Sequence, residues 1–277
     1  MESVKILIEA LPYIKRFKGK VFVVKLGGSM LLDEKKRRTV LEDVSFLKFV
    51  GIEVIVVHGG GKDINVLSEK LGVEVKFVDG MRQTDDRALD VVVMALGKVN
   101  DELVEELESL DCKAIGISGT SGSMMKARRI EKLGNVGEIE KVDETVIRDF
   151  LDHGYTPVVQ PIGLDENDKA VNINADDAAG AIAEALKAEK VIYLTNVPGL
   201  LENEKDESTL ISSITTSELK EKLKWDELKG GMIPKVNGII DAVEHGVKSV
   251  HIIDGRKEHS LLLEVFTDTG IGTMVTE

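Results

Sequence analysis

A single cysteine, Cys112, cannot build an intramolecular disulfide framework, and its isolation fits a reducing compartment. It reads as a small buried residue or a bystander. Positive charge is in the minority. The net charge of −13 argues against nucleic acid as the main partner and serves solubility. An anionic ligand can then be held only where cations are gathered locally. No run is apolar enough to span a membrane, and Lys5 and Glu9 interrupt the apolar positions of a secretion signal. These absences lead to the expectation of a cytoplasmic protein with no membrane partner.

The common nucleotide fingerprints are missing too. In Gly59-Gly60-Gly61-Lys62-Asp63-Ile64, Ile64 stands where a dinucleotide fold needs its last glycine. No glycine run is followed by the lysine and hydroxyl residue of a P-loop, and Gly116 to Gly122 has no lysine after its glycines. His58 has no second histidine at metal-ligand spacing, so no metal site is expected and His58 reads as a packing or hydrogen-bonding residue.

What is present is a chain of 277 residues, 43% hydrophobic, enough for one large domain or two lobes. Val21-Phe22-Val23-Val24 reads as a buried strand, with Lys25 at its end. Gly27 and Gly28 follow without side chains, so a ligand can reach their backbone N–H groups. From Ser29 the chain can enter a helix whose N-terminus favours anions. Phosphate suits such a turn; a tight strand–helix turn with a solvated lysine is the bland alternative. The same sequence of apolar strand, glycines and helix recurs at Val54–Val57, His58-Gly59-Gly60-Gly61 and Asp63–Leu71. Strands alternating with helices indicate an α/β fold with a mostly parallel sheet, which binds ligands at the carboxyl ends of its strands.

Before the first strand, Val4, Leu7, Ile8 and Leu11 share one helical face, and Pro12 is expected to end or kink that helix. The face packs either on its own domain or on another subunit. Arg82 precedes Thr84-Asp85, the expected cap of a helix from 86 to 110, and is suited to bidentate capture of a carboxylate. Met124 to Glu144 reads as a polar, irregular stretch, a hairpin excursion. Asn172-Ile173-Asn174-Ala175-Asp176 precedes an apolar helix, where Asp176 is placed to cap the helix, to face a cleft, or to do both. Thr195-Asn196-Val197-Pro198-Gly199 is a turn at a strand's carboxyl end. A helix is expected from 219 to 228, and Gly230-Gly231 opens another that carries Lys235 in its first turn. Two lysines, bare amides and an arginine suit two anionic ligands. An acidic residue between the lysines would keep them oriented and charged, and no nucleophile–base pair is evident.

These motifs, in this order, resemble those of the amino acid kinase family, nearly end to end. They are Lys25-Leu26-Gly27-Gly28, His58-Gly59-Gly60-Gly61, Asp79-Gly80-Met81-Arg82-Gln83-Thr84-Asp85, Asn172-Ile173-Asn174-Ala175-Asp176, Gly230-Gly231-Met232-Ile233-Pro234-Lys235-Val236 and His251-Ile252-Ile253-Asp254-Gly255. The resemblance implies a three-layer αβα sandwich with a mostly parallel central sheet and two lobes. Residues 1–18 would be an oligomerisation helix, 19–181 the amino-acid lobe with the dimer contact, and 182–277 the ATP lobe. It implies ATP-dependent phosphorylation of the side-chain carboxylate of N-acetyl-L-glutamate in arginine biosynthesis, with Mg²⁺ arriving on the nucleotide. Lys25 and Lys235 would stabilise the transferring group and Asp176 would organise both. Gly60, Gly61, Arg82 and Asn172 would hold the acetylated amino acid, and Gly27, Gly28, Asn196, Gly199 and Gly231 the nucleotide.

The terminal segments resemble a hexameric branch inhibited by L-arginine, which implies a homo-oligomer, dimer or hexamer. Arginine would sit at Tyr13, His251, Glu264 and Gly270. Two departures remove charge near the expected cleft. Gly119-Thr120-Ser121-Gly122 stands where the family often has Gly-Lys-Asp-Gly, and Leu194-Thr195-Asn196 where it often has Leu-Thr-Asp. The alternatives are a kinase for carrier-bound aminoadipate or glutamate, and a non-catalytic arginine-sensing subunit.

Overall fold

A computed structural model describes residues 2–78, 80–203, 206–224 and 232–277. The chain opens with helix α1 (Glu2–Phe17), strand β1 (Val21–Leu26), the single turn α2 (Gly28–Leu31), α3 (Glu34–Phe49), β2 (Glu53–His58) and α4 (Gly61–Leu71). A hairpin of β3 (Lys76–Val78) and β4 (Met81–Gln83) leads into the long α5 (Asp86–Glu108) and β5 (Ala114–Ser118). Then come β6 (Met125–Arg129), β7 (Val136–Val142), α6 (Thr145–Asp152), β8 (Thr156–Gln160), β9 (Ile162–Leu164), β10 (Ala170–Ile173) and α7 (Ala175–Leu186). The rest is β11 (Lys190–Thr195), β12 (Ser213–Thr215), α8 (Thr216–Lys224), α9 (Met232–Glu244), β13 (Ser249–Asp254), α10 (Ser260–Phe266) and β14 (Thr273–Thr276).

Among the described residues, an eight-stranded sheet runs β12-β14-β13-β11-β1-β2-β8-β5. Its neighbours are parallel except β13 and β14. This is the mostly parallel α/β sheet expected. Its central strands are nearly continuous apolar runs because helices cover both faces. The period of two sorts the side chains into layers. Phe22 and Val24 pack with Val40, Val44 and Leu47 of α3 and Leu103 of α5. Val23, Ile55 and Val57 face the other way, onto Ala178 and Ile182 of α7 and Ile239 of α9. The chain moves outward from β1 through β2, then returns to lay β11 on the other side of β1. The crevice at such a reversal is where an α/β sheet takes its ligand.

Residues 124–144 form the expected hairpin, more regularly paired than expected. β6 and β7 pair there and close a small barrel with β9 and β10. A Cβ on Gly137 would lie 2.7 Å from Val171 Cγ2, so the crowded barrel interior calls for glycine. The expected boundary between 181 and 182 falls inside α7, which spans it. Of the helix expected over 219–228, residues 219–224 lie in α8, which starts earlier at Thr216, and 225–228 lie outside the described residues. The helix expected from Ser29 begins as the single turn α2, and the short α6 and α10 are additional elements.

Pro12 lies inside α1 and does not end it. Proline leaves the carbonyl of Ile8 without its helical donor; Ile8 is 63% exposed, so water can take that place. The C-terminal half of α1 packs on its own fold. Phe17 is buried against Phe22 in an edge-to-face contact at 5.2 Å, and Ala10, Tyr13 and Ile14 are partly buried beside it. Ile8 and Leu11 remain exposed, and the side chains of Val4 and Leu7 lie outside the described part.

A buried charge couples this side of the sheet to pH. Asp43 of α3 is fully buried, with Oδ1 2.6 Å from Nδ1 of His259. Burial pushes the Asp43 carboxyl up to about 6, against the pull of His259. The hydrogen bond to Asp43 raises His259 in turn. Both groups hold protons more tightly folded than unfolded. Their stabilisation is therefore complete below the unfolded carboxyl value of about 3.9 and is lost as pH rises through about 6 and beyond. Urea midpoints of Asp43→Asn should fall less between pH 4.5 and pH 8 than those of the parent, as roughly one or two titrating groups contribute. Identical slopes would show that this pair is not the source.

Candidate active site

The site lies at the carboxyl ends of β1, β2 and β11. Lys25 precedes the last residue of β1 and pairs in register with Tyr193 of β11. Gly27 caps α2 without a capping side chain, and Gly28 is its first residue. A Cβ on Gly27 would lie 3.1 Å from the Leu194 carbonyl oxygen, so the bare residue lets this turn rest against the neighbouring strand. After β2, Gly60 caps α4, again without a side-chain cap, and Gly61 begins the helix. The first amides of α4 are thereby left for a ligand.

Asp176 does not cap α7. Asn174 does, its Oδ1 accepting from the Asp176 N–H at 2.8 Å. The Asp176 carboxylate is thus free to lie 2.8 Å from Lys25 Nζ with one oxygen and to accept from Lys235 Nζ at 2.6 Å with the other. Burial opposes ionisation of Asp176, but the charges of Lys25 and Lys235 outweigh it and hold the carboxyl below its usual range. Lys235 Nζ sits 5.0 Å over the Tyr193 ring, and the Tyr193 hydroxyl donates to the Asp176 carbonyl at 3.2 Å. Tyr193 carries no sequence signal of its own; the parallel register of β1 and β11 sets it opposite Lys25.

Arg82 stands on β4 with Nη2 donating to Asn65 Oδ1 at 2.6 Å and to the Gly61 carbonyl at 3.1 Å, its guanidinium 5.0 Å over Phe77. Asn172 donates from Nδ2 to Thr84 Oγ1 at 3.4 Å. A cleft of about 570 Å³ brings together Lys25, Gly60, Gly61, Arg82, Asn172 and Asp176, with an apolar flank that includes Ile64 and Leu96. A second, of about 390 Å³, takes Lys25, Gly61 and Arg82 from the first and adds Gly27, Asn196 and Lys235. The two cavities therefore share Lys25, Gly61, Phe77 and Arg82 as common lining.

Other expected residues lie elsewhere. Gly199 lines neither cleft. It is tucked into its own loop, where a Cβ would come within 2.5 Å of Thr273 Oγ1. Gly231 lies outside the described residues. Thr120 and Ser121 form hydrogen bonds in their own turn, to the Ser118 hydroxyl and from the Ser118 N–H, and line neither cleft. The charge loss there is not at the site, whereas that at Asn196 is.

His251, Glu264 and Gly270 form a separate group beneath α1. His251 Nδ1 donates to Glu264 Oε1 at 2.6 Å, and Glu264 Oε2 accepts the N–H groups of Ile271 at 2.7 Å and Gly272 at 3.1 Å. A Cβ on Gly270 would lie 2.7 Å from Glu264 Oε2. The Tyr13 hydroxyl donates to Asp268. Both Glu264 oxygens are engaged, so a guanidinium would have to join or displace existing bonds. Lys190, not anticipated, donates to His251 Nε2 at 2.7 Å and lies 5.3 Å over the Phe17 ring; burial brings its ammonium down to about 8.

Residues 20–254 match the amino acid kinase family. The acetylglutamate kinase of Methanocaldococcus jannaschii is 48% identical over 290 residues, covering 100% of this chain and 97% of that protein. The acetylglutamate kinase of Thermoanaerobacter pseudethanolicus is 50% identical over 275 residues, covering 98% and 92%. Among solved structures, N-acetylglutamate synthase from Neisseria gonorrhoeae complexed with coenzyme A and N-acetyl-glutamate aligns with a TM-score of 0.87 at 26% identity; the match covers 99% of this chain and 63% of that one. The same synthase complexed with coenzyme A and L-arginine aligns at 0.84. With most of its length matched and relatives about half identical along almost all of it, this chain belongs to the amino acid kinase family.

Proposed function

We propose that this chain transfers the γ-phosphoryl group of ATP to the side-chain carboxylate of N-acetyl-L-glutamate, giving N-acetyl-glutamyl 5-phosphate in the cytoplasmic synthesis of arginine. The observation that carries the reading is Lys25, which lines both clefts and whose ammonium is tied through Asp176 to Lys235. The names of the near-identical-length relatives support it.

In this reaction a carboxylate oxygen bonds to the γ-phosphorus as the bond to the β-phosphate oxygen breaks. The acceptor is already anionic, so no proton has to be removed and no general base is required. Positioning and neutralisation of charge are the remaining tasks. Lys25 and Lys235 neutralise charge on the phosphoryl oxygens, with Asp176 fixing both ammonium groups. Gly60 and Gly61 offer N–H donors to the acceptor, Asn172 adds a side-chain amide, and Arg82 takes the α-carboxylate. The apolar flank suits the acetyl methyl. Gly27, Gly28 and Asn196 attend the nucleotide, with residues 19–181 as the acceptor lobe and 182–277 as the ATP lobe. Both Asp176 oxygens are already engaged by lysines, and among the described residues no three acidic, histidine or cysteine groups form a metal cluster. A Mg²⁺ carried by the phosphates and water suits this donor set. Bound there, it would neutralise charge on the nucleotide.

The test is an ATP-dependent assay with N-acetyl-L-glutamate, glutamate, aspartate, acetylaminoadipate and carbamate. Turnover confined to acetylaminoadipate would favour the carrier-bound substrates; no turnover with any acceptor would favour an arginine-sensing subunit. Arg82→Lys should raise KM for N-acetyl-L-glutamate about tenfold, since a lysine cannot make the two-pronged pair. KM for ATP should stay close to the parent's. A rise in the ATP value instead would reverse the assignment of the two clefts.

The proposal extends to regulation, with L-arginine as inhibitor at Tyr13, His251, Glu264 and Gly270 and with α1 joining subunits of a dimer or hexamer. The arginine complex of the related synthase and the exposed Ile8 and Leu11 support this part.

A further inference from the structure

The geometry points to His58 as a positioning residue, whose imidazole holds the Gly59–Gly60 peptide so that the Gly60 N–H is presented to the acceptor. This rests on the acceptor role proposed for the glycine triplet.

His58 ends β2 and is wholly buried. Its Nδ1 lies 2.9 Å from the Gly59 carbonyl oxygen, which can only accept, so Nδ1 carries the ring proton. Its Nε2 lies 3.0 Å from Nδ2 of Asn100 on α5. The same amide nitrogen donates to the Val158 carbonyl of β8 at 2.9 Å, which fixes it as the NH₂ group and makes Nε2 the acceptor. Every bond in the series from Val158 through Asn100 and His58 to Gly59 therefore has one direction only. Asn100 is itself hemmed in. A Cβ on Gly116 would fall 2.0 Å from its Oδ1, so the glycine there makes room for the amide. A second ring proton would set Nε2–H against the Asn100 donor. Burial lowers His58 to about 4, which keeps the ring neutral.

The consequence for the cleft follows from peptide geometry. In a planar trans peptide, C=O and N–H point in opposite directions. Anchoring the Gly59 oxygen on the buried imidazole turns the Gly60 N–H away from it, toward the cleft that the triplet lines. Three consecutive glycines would otherwise sample many backbone states. A side chain at 60 cannot stiffen the turn, because its Cβ would lie 2.7 Å from Leu96 Cδ2. The Gly59 N–H is held separately by the Leu26 carbonyl at 3.0 Å. The imidazole thus supplies an order that the glycines lack, from a position that never touches the substrate.

Two variants separate the two ring nitrogens. His58→Asn keeps an N–H donor at the Nδ1 position and loses the contact with Asn100. His58→Gln keeps an acceptor at the Nε2 position and loses the donor to Gly59. His58→Gln should raise KM for N-acetyl-L-glutamate about tenfold, with a rise of about threefold or less in His58→Asn and an ATP KM within about twofold in both. Equal rises in the two variants, or a matching rise for ATP, would overturn the proposal. The unmodified enzyme gives a second reading independent of folding in the variants. Ring ¹⁵N shifts of labelled histidine at pH 7 should show His58 as the Nδ1–H tautomer. The Nε2–H tautomer or a charged ring would overturn it. If the unmodified enzyme fails to phosphorylate N-acetyl-L-glutamate, the proposed function falls, while the hydrogen-bond series is still decided by the spectrum.

Discussion

Lys235→Ala, and separately Lys25→Ala, should lower kcat by about 10²–10³ while each KM changes only a few-fold, because a donor aimed at charge that develops in the transition state contributes mainly there. The shared carboxylate shapes a further result. Asp176 holds Lys25 at 2.8 Å and Lys235 at 2.6 Å, and its low pKa depends on both charges. Removing either lysine raises the Asp176 pKa and leaves the other ammonium with a carboxylate it no longer shares. The remaining lysine is then drawn off its position. The double variant should therefore cost well under the product of the single losses, as expected for residues acting as one unit. Steady-state kinetics with N-acetyl-L-glutamate and ATP, run on all four proteins, decides it. An unchanged kcat in either single variant would remove that lysine from the mechanism, and strictly multiplicative losses would show that Asp176 does not couple them.

How much of this site is legible in the sequence depends on the range of the interaction. Lys25, Gly27 and Gly60 stand at the ends of valine-rich runs, so period and composition locate them within a few residues of the chain. The parallel sheet follows from the same runs. Asp176 shows the limit. Asn174 and Asp176 are both good caps by residue type, and sequence leaves the choice open. Only the packed structure shows Asn174 taking the cap and releasing Asp176 to the lysines. The hairpin of β6 and β7 was legible, but its closure into a barrel was not, because the closing strands β9 and β10 have only three and four residues and pair with distant segments. The place of Gly199 is illegible for another reason: the resemblance implies a nucleotide role for it, while its close packing against Thr273, a residue 74 positions later, leaves no local pattern. Lys190 left no local trace at all, since its partners His251 and Phe17 come from β13 and α1.

Ile8→Glu combined with Leu11→Glu should convert the proposed higher oligomer to a smaller particle and remove arginine inhibition. kcat with N-acetyl-L-glutamate should stay within about twofold of the parent, because neither side chain touches the clefts. The choice of residues follows from how α1 divides. Phe17 is 3% exposed and covers Phe22, so deleting residues 1–18 would open the core and confuse loss of stability with loss of association. Ile8 and Leu11 are 63% and 44% exposed. Apolar side chains left together on a helix face mark a place for a partner, and a carboxylate introduced there opposes its burial. Arginine can inhibit only by binding one state of the enzyme better than another. The group beneath α1 offers a route for that difference, since the Lys190 ammonium contacts the Phe17 ring on one side and His251 on the other, with Glu264 beyond. Association at Ile8 and Leu11 would fix the far end of the same helix, so that a change at Phe17 is passed to a neighbour rather than lost in fraying. Sedimentation velocity and an arginine titration read the two effects separately. A variant that remains associated and arginine-sensitive would leave α1 as an internal packing helix. A parent enzyme that arginine does not inhibit would discard the regulatory part while leaving the role in association to the sedimentation result.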